Sequence, residues 1–396
     1  MRWTDLAAND QLLYFTSPSH SHDGRWIILL SDRGGEYNLW ALDMRDNTMR
    51  RISHNCEGWL RSYVYFDGHH DARGLSRAGI SFDAQRNRLY YIQGNRIICA
   101  EIETGEQHDV ATLPSGEVTA FTDVSRCGKY LCVPTIHHAA FDEAEEPMQI
   151  GRTADALGIR STVRIFETAT GHEKILFSEP GWVSHVQFRP TDAQQILYNH
   201  EWCDFGATRR MWWWNGYTSR RLRPADALVD ARGTATHEVW RQDGQCLIYH
   251  GHYFITDEPT PVQRTRQLYH QQPYIGRCFP DGDFREEIAL DTGCHLYGHF
   301  MPNSTGECVV SDGYFEADEV CREKSHAGGL KARWITLFHL DWETLTARAQ
   351  PLCRHDSSWS SQDAHPHPIF SHDAQSVWFT SDREGKRAIY QVDART

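Results

Sequence analysis

The hydrophobic residues of this chain fall in short runs that are separated by turn residues. A typical run is Trp26–Leu30, followed soon by a polar stretch rich in Asp and Gly. Val, Ile, Leu, Tyr and Trp fill the runs, and Gly, Asp and Asn separate them, which is typical of short strands joined by turns. No run approaches the roughly 20 apolar residues that cross a bilayer as a helix. The pattern predicts an all-β protein.

One strand-turn-strand pattern recurs along the chain. His22–Asp43 and His372–Asp393 have equal length, begin with His-Asp, carry Ser-Asp-Arg at the same offset and end in Asp. An internal repeat of this kind indicates a repeated supersecondary unit. Weaker copies lie between the two: FDAQRNRLYYIQGNRIICAEIETGE, VSRCGKYLCVPT, RPTDAQQILYNH, RQDGQCLIYHG and NSTGECVVSDG.

The turn within each copy gives a marker, and the markers recur about every 58 residues. Seven such units predict an all-β, seven-bladed β-propeller formed by residues 1–396 as a single domain. The segment Gln11–Pro18 precedes the first marker and belongs to either the first or the last blade, where it would close the ring. The markers are Asp23, Asp83, Ser125, Thr191, Asp243, Thr305 and Asp373.

Two stretches do not follow the repeat. Residues 141–160 are acidic and then helix-like, and residues 314–331 are polar with mixed charge. Both are interpreted as rim insertions. Long loops on a rigid scaffold often carry function, although a solvated connection is the simpler interpretation.

Charge and cysteine content narrow the classes of partner and compartment. The formal net charge is -13, which argues against nucleic acid and membranes as partners. The 11 cysteines are scattered singly with no CxxC pair, and no secretory leader follows Met1. Single cysteines in strand-like segments are typical of reduced, buried thiols. The sequence therefore predicts a cytoplasmic protein.

The repeat register brings histidines to equivalent positions. Four of the seven residues that lie six positions before a marker are histidine, although the chain has only 23 histidines in 396 residues. Equivalent strand positions should point the same way, so these imidazoles are expected to face one common space. His365 shares the strand face of His367, two residues later. The seven positions are Ser17, Arg77, Thr119, His185, His237, His299 and His367.

Such a cluster suits two kinds of chemistry. Nitrogen-rich sites bind Mn, Fe, Ni or Zn better than Ca or Mg. Gln362 adds an amide oxygen shortly before His365-Pro366-His367, so these residues with His299 could hold one cation. A proton-shuttling cluster without metal is the alternative. No G-x-S-x-G elbow or P-loop occurs, which argues against a serine hydrolase or an NTPase.

Several short motifs follow one another through the second half of the chain. They are Trp182-x-x-His185-x-x-x-Arg189-Pro190, His200-Glu201, Arg210-Met211-Trp212, Thr236-His237-Glu238-x-Trp240, His299-x-Met301-x-Asn303, Cys353-x-His355, Gln362-x-x-His365-Pro366-His367-Pro368 and Phe379-Thr380-Ser381-Asp382-x-Glu384-Gly385. With these motifs the chain resembles one known family, the oligogalacturonate lyases, which are seven-bladed propeller lyases of pectin breakdown. The likeness extends from about Tyr14 to Asp393.

The resemblance implies a catalytic site for β-elimination from a uronate. It implies a divalent metal, typically Mn2+, with His237 as the base and Arg210 as the partner of the substrate carboxylate. His185 and His200 are candidate substrate-binding residues, and either of them, or water, is a candidate acid for the leaving oxygen. The implied metal ligands are His299, Gln362, His365 and His367.

One departure from the family pattern affects the substrate. The segment 201–209 differs from the small, acidic stretch expected there, and Trp202 would crowd a sugar or stack on it. The expected partners are therefore short uronate oligosaccharides, with a different acidic glycan as an alternative. A third alternative, from another class, is a non-catalytic propeller scaffold of the TolB type.

Overall fold

The described part of the chain forms seven antiparallel sheets, in which strands neighbouring in sequence are neighbours in the sheet, except that the first two strands of the third sheet both pair with its third strand. The predicted fold class, an all-β seven-bladed propeller, is confirmed. A computed structural model describes residues 1–69, 73–201, 210–222, 233–254, 271–282, 284–290, 298–314 and 333–395. Within these ranges no helix is long and apolar enough to cross a membrane.

The fold divides into two compact units. One unit, called here the N-terminal unit, consists of Ala7–Cys203 and Trp212–Arg220. The other, the C-terminal unit, consists of Met1–Leu6, Asp204–Met211 and Arg221–Thr396. That residues 1–396 act as a single domain stays a prediction.

The N-terminal unit contains the first four sheets, apart from the terminal residues Met211 and Arg221 of the fourth. The first sheet has β1 (Asp10–Leu12), β2 (Trp26–Ser31), β3 (Asn38–Asp43) and β4 (Thr48–Arg51). The second has β5 (Leu75–Asp83), β6 (Arg88–Gln93), β7 (Arg96–Glu101) and β8 (Gln107–Thr112). The third has β9 (Glu117–Thr119), β10 (Asp123–Val124), β11 (Tyr130–His137), β12 (Arg160–Glu167) and β13 (Glu173–Pro180). The fourth has β14 (Val183–Arg189), β15 (Asp192–His200), β16 (Met211–Trp214) and β17 (Ser219–Arg221).

The C-terminal unit contains the last three sheets. The fifth has β18 (Gly233–Trp240), β19 (Leu247–Phe254), β20 (Gln271–Phe279) and β21 (Phe284–Ala289). The sixth has β22 (Phe300–Pro302), β23 (Cys308–Tyr314), β24 (Trp334–Asp341) and β25 (Thr346–Arg354). The seventh has β26 (Ile369–Phe370), β27 (Ser376–Ser381) and β28 (Ala388–Asp393).

Six of the seven turn markers lie between two consecutive strands of one sheet, and the seventh, Asp83, is the last residue of β5. The segment Gln11–Pro18 begins in β1, which pairs with β2, so it belongs to the first sheet and not to the last. Residues at the very start of the chain lie instead against β28, where the Trp3 N–H donates to the Ile389 carbonyl at 2.8 Å.

Hydrophobic side chains from consecutive sheets pack together within each unit. Ile28 and Leu30 of β2 join Ile80 and Phe82 of β5 in one cluster, and all four are at most 5% exposed. Corresponding clusters join the fifth sheet to the sixth and the sixth to the seventh. Since burying one such side chain contributes about 1.5–3 kcal/mol, these clusters account for the short apolar runs of the sequence.

The first predicted insertion contains helices, as its sequence suggested. They are α1 (Ala139–Asp142), a 3₁₀ turn (Pro147–Gln149) and α2 (Ile150–Ala156). Phe141, Ile150 and Ala154 are almost fully buried against Trp182. The insertion is therefore packed into the N-terminal unit and is not merely a solvated connection. The second predicted insertion, 314–331, lies outside the described residues except for the end of β23.

Candidate active site

Three of the predicted metal ligands lie together in the C-terminal unit. His299 immediately precedes β22, and His365 and His367 lie between a 3₁₀ turn (Gln362–Ala364) and β26. One ring nitrogen from each of the three lies within 4.8 Å of the others. Metal–nitrogen bonds are about 2.0–2.1 Å long, so a small inward movement of the rings brings all three into the reach of one ion.

Gln362 belongs to the same cluster. Its side-chain Nε2 lies 3.3 Å from Nε2 of His367. The oxygen and nitrogen of an amide are assigned from their surroundings, so a half-turn of the amide places its oxygen beside that ring. The structure thus brings all four predicted ligands together.

The electrostatic state of the imidazoles fits metal binding. Burial, and then the neighbouring His299, lowers the pKa of His365 to about 3. Burial also holds the pKa of His367 well below its usual value. Nδ1 of His365 is buried and has no hydrogen-bond partner among the described residues. Neutral imidazoles with available lone pairs are the form that binds a metal, so these residues fit a divalent cation.

Asp312, at 0% exposure, holds two of these histidines. Its Oδ1 accepts the backbone N–H of His299 at 2.7 Å, and its Oδ2 lies 3.2 Å from Nδ1 of His299. Oδ2 also accepts the backbone N–H of His367 at 3.2 Å. A carboxylate only accepts hydrogen bonds, so Nδ1 of His299 carries the proton and Nε2 carries the lone pair. Carboxylates commonly orient metal-binding histidines in this way.

Gly298 allows Asp312 to come this close. Its φ is +145°, and a Cβ placed there would lie 2.1 Å from Oδ1 of Asp312. Residues with a side chain rarely adopt that backbone conformation. The glycine before the first ligand is therefore needed for the carboxylate contact.

His237, the predicted base, lies next to this cluster. Its ring centroid is 4.8 Å from that of His299, and its Nδ1 is 2.8 Å from Nε2 of His250. The pairing of β18 with β19 shifts register between Thr236 and Val239, so His237 sits in a bulge. Bulges near active sites re-aim side chains.

Two site histidines have strained backbones. The φ angle is +53° at His237 and +46° at His367. Residues other than glycine are uncommon in this left-handed region, and such outliers concentrate at functional sites. The strain indicates that the surrounding structure fixes both rings in unusual directions.

Arg210, the predicted carboxylate partner, is bound to an acidic residue of the same unit. Its Nε donates to Oε2 of Glu238 at 3.0 Å, and the side chains are only 13% and 3% exposed. Glu238 directly follows His237 in the sequence. This ion pair therefore ties the orientation of the guanidinium to the bulge that carries the predicted base.

In the N-terminal unit, His185 joins a buried polar cluster. Its Nδ1 lies 2.6 Å from Oγ of Ser184 and 2.9 Å from Nδ2 of Asn199, and Glu201 accepts from both of those residues. The imidazole ring stacks on Phe121 with centroids 4.5 Å apart. Its Nε2 is buried and has no hydrogen-bond partner among the described residues.

His200, also in the N-terminal unit, has a different setting. Its Nε2 lies 3.1 Å from Oε2 of Glu179, which also accepts from the Tyr198 hydroxyl, and its ring packs edge-on against Trp212. The partner His200 lowers the pKa of Glu179, although burial opposes that shift. The roles of His185 and His200 in substrate binding stay predictions. Segment 202–209, with Trp202, lies outside the described residues.

Sequence reasoning did not assign roles to Asp312, His250 or Glu238. A signal for Asp312 was present, because the copy NSTGECVVSDG carries Ser-Asp near the offset seen in the two strongest copies. Glu238 was part of a recognised motif. No sequence pattern pointed to His250. Its contact with His237 on the neighbouring strand depends on a bulge, and a repeat pattern does not reveal a bulge.

Known proteins match this chain over most of its length. The family model for oligogalacturonate lyase matches residues 68–395. The oligogalacturonide lyase of Pectobacterium atrosepticum and the oligogalacturonate lyase of Dickeya dadantii are each 22% identical, over 393 and 399 residues. Each match covers 95% of this chain and 88% of the relative.

Solved structures have the same fold. An oligogalacturonate lyase in complex with manganese matches with a TM-score of 0.76 and 20% identity, covering 99% of this chain and 92% of that one. An oligogalacturonate lyase from Vibrio parahaemolyticus matches with a TM-score of 0.77, the same identity and the same coverage. The family and the lyase class predicted from the motifs are confirmed: the chain belongs to the oligogalacturonate lyase family.

Proposed function

We propose that this protein is a divalent-metal-dependent lyase that cleaves short oligogalacturonates by β-elimination. The observation that carries the proposal is the cluster of His299, His365 and His367 in a member of this family, with the His237 ring 4.8 Å from that of His299. A scaffold with no catalytic role would not need three clustered imidazoles beside a fourth histidine with a strained backbone.

The reaction removes a weakly acidic proton. The proton leaves C5 of the uronate, α to the carboxylate, and its electron pair forms the C4–C5 double bond as the C4–O glycosidic bond breaks. The departing oxygen takes a proton. The difficulty is that negative charge builds up next to a carboxylate that is already negative, so stabilising that charge is the main catalytic task.

The residues of the C-terminal unit divide this task. Arg210 binds the substrate carboxylate, and its guanidinium plane is set by the bond to Glu238. Arginine suits this role because its planar fork matches a carboxylate. His237 accepts the C5 proton, since a neutral imidazole is a suitable base near neutral pH.

We propose Mn2+ as the metal and His299, Gln362, His365 and His367 as its ligands. Support comes from the three nitrogens within 4.8 Å, from the amide of Gln362 beside His367, and from the manganese complex of a structural neighbour. When bound, the cation would act as a Lewis acid on the uronate carboxylate.

We also propose that His185 and His200 contact the sugar. His185 is supported by its buried Nε2, which has no hydrogen-bond partner in the described part of the chain, and by the aromatic face of Phe121 beneath its ring. His200 rests on its motif alone. Replacing either residue by Ala should raise KM for the oligosaccharide, and an unchanged KM would remove that residue from the binding site.

The cytoplasmic location remains a proposal that rests on the cysteines. The eight cysteines in the described ranges form no disulfide with one another. Burial raises the pKa of Cys99 and of Cys246 to about 11, so these two thiols stay protonated. Cysteines outside disulfides are typical of a reducing compartment.

Two variants test the assignment of roles. His237→Ala should abolish formation of the unsaturated product and leave bound metal intact, while His365→Ala should release the metal. Loss of metal from the His237 variant would mean that His237 is a ligand and not the base. Saturated and unsaturated digalacturonate and an oligosaccharide of a different uronic acid, assayed in parallel, separate a galacturonate enzyme from one for another acidic glycan.

A further inference from the structure

His237 and His250 share one short hydrogen bond. Nδ1 of His237 lies 2.8 Å from Nε2 of His250, and the ring centroids are 5.0 Å apart. His250 lies on β19 with 1% exposure, opposite Thr236 in the strand register. The bulge that follows Thr236 turns the His237 ring toward it.

Only one proton can lie between these two nitrogens when both rings are neutral. If His250 donates it, Nδ1 of His237 is the acceptor and the proton of that ring is on Nε2. If His237 donates it, Nε2 of His237 carries the lone pair. Only the second arrangement leaves His237 able to take a proton from a substrate at the nitrogen that points away from His250.

The position of His250 is fixed from two sides. Its ring meets that of Phe300 edge to face at 4.8 Å, and Phe300 directly follows the predicted ligand His299. The next residue on β19 is Gly251, where a Cβ would lie 1.7 Å from the Thr234 carbonyl oxygen. The close approach of β18 and β19 therefore needs glycine beside His250 and holds the two histidines at hydrogen-bond distance.

We propose that His250 is the positioning residue for His237: it accepts the Nδ1–H of His237 and so leaves the lone pair on Nε2. The inference rests on the proposed function, in which His237 is the base. When His237 takes the C5 proton it becomes an imidazolium, and its Nδ1–H bond to His250 becomes charge-assisted and stronger. His250 itself neither gains nor loses a proton and does not touch the substrate.

Kinetics of the metal-loaded enzyme test the role. His250→Phe keeps an aromatic ring but removes the acceptor, and should lower kcat about tenfold to a hundredfold, as expected when a base is poorly placed. KM and the affinity for Mn2+ should change less than about twofold. His250→Gln offers an amide oxygen as acceptor and should recover part of kcat. His339→Phe is the matched control, because that histidine bonds Gln350 between β24 and β25 and has no part in the site.

A second measurement does not depend on turnover. Nitrogen-15 NMR of the metal-free protein, with His237→Ala used for assignment, should find the proton of His237 on Nδ1. The same signals in the His250→Phe protein should move toward the Nε2-protonated form. A His237 ring protonated on Nε2 in the wild-type protein, or a His250→Phe enzyme with wild-type kcat, would overturn the inference. Absence of turnover by the wild-type enzyme on every uronate oligosaccharide would count against the proposed function instead.

Discussion

The first sheet and the sixth sheet contain the same local arrangement with different side chains. In the first, the residue after β2 is Asp32, which accepts the backbone N–H of Asn9 and its side-chain Nδ2, both at 2.7 Å. In the sixth, Asp312 of β23 accepts the backbone N–H of His299 at 2.7 Å and lies 3.2 Å from Nδ1 of that ring. Each acidic residue follows a serine, Ser31 or Ser311.

The main difference is the side chain that the carboxylate orients, and Asp312 also accepts the backbone N–H of His367. In the N-terminal unit the carboxylate holds an amide, so the arrangement fastens one strand to another. In the C-terminal unit it holds an imidazole, whose other nitrogen is then available to a metal. The seventh sheet has a third version, in which Asp382 accepts the backbone N–H of Ser358 at 2.7 Å. The same aspartate contact thus recurs in three sheets, and in the sixth it holds a proposed metal ligand.

Exchanging the two side chains tests this comparison most strongly. His299→Asn recreates the first-sheet version, so the strand contact should survive while a metal ligand is lost. Because a Lewis acid contributes several kcal/mol to such a reaction, kcat should fall about a thousandfold or more. Product formation, metal content and thermal unfolding are the measurements.

The reverse exchange is the control. Asn9→His should keep the contact with Asp32 and leave the metal content at its wild-type value, because Asn9 lies outside the group of three possible ligands found among the described residues. A second metal in this variant would contradict the comparison. So would a His299→Asn protein that keeps full metal content and activity.

A smaller effect is expected at the carboxylates. Asp312→Asn keeps an oxygen for the backbone N–H of His299 but weakens the hold on its ring, so affinity for Mn2+ should fall about tenfold to a hundredfold. Asp32→Asn should cost about 1–3 kcal/mol of folding stability and leave metal affinity unchanged. Titration calorimetry with Mn2+ and urea denaturation distinguish the two outcomes. Equal metal affinities in the two variants would show that Asp312 only holds the strands together and has no effect on metal binding.

The sequence predicted the sheets well, and it named the four proposed ligands that lie together in the structure, because both depend on local pattern. Alternating runs and turn residues determine strands, and the motif around His365 and His367 is contiguous. The cross-strand partners were harder to predict. Counting six residues back from the turn marker finds His299 in the sixth sheet but Ser17 in the first, where Asn9 is the structural counterpart. The connection between β1 and β2 is longer than the one between β22 and β23, and chain length alone does not reveal which residue faces Asp32.

The version in the seventh sheet predicts that folding stability depends on pH. Ser381, which precedes Asp382, donates to the carbonyl oxygen of buried His355, and burial lowers the pKa of the His355 ring from 6.5 to about 4. The unfolded chain therefore takes up the proton first, so folding stability should fall as the pH drops from about 6.5 toward 4. At about 1.4 kcal/mol per pKa unit, the loss is at most about 3 kcal/mol. Above that range this residue should have no effect.

Denaturant unfolding of the metal-free protein at several pH values measures this loss. His355→Gln should unfold with a shallower dependence on pH than wild type, and substitution of the exposed His372 should leave the dependence unchanged. Identical slopes for wild type and the His355 variant would show that the ring is not held neutral.

The two units are expected to unfold together. We propose that residues 1–396 behave as one domain, so both units should unfold in a single transition. Mn2+ at a hundred times its Kd should move that transition by about 2.7 kcal/mol. Tryptophan fluorescence and circular dichroism recorded together test this. Two separate transitions, with only one shifted by Mn2+, would mean that the units are independent domains.

A metal-dependent lyase for oligogalacturonates forms a conjugated alkene, which absorbs in the ultraviolet. We expect this absorbance to rise steadily when the metal-replete protein is incubated with digalacturonate. A chelator should stop the rise, Mn2+ should restore it, and the His237→Ala protein should not show it. No rise with any uronate oligosaccharide, with or without Mn2+, would contradict the proposed function.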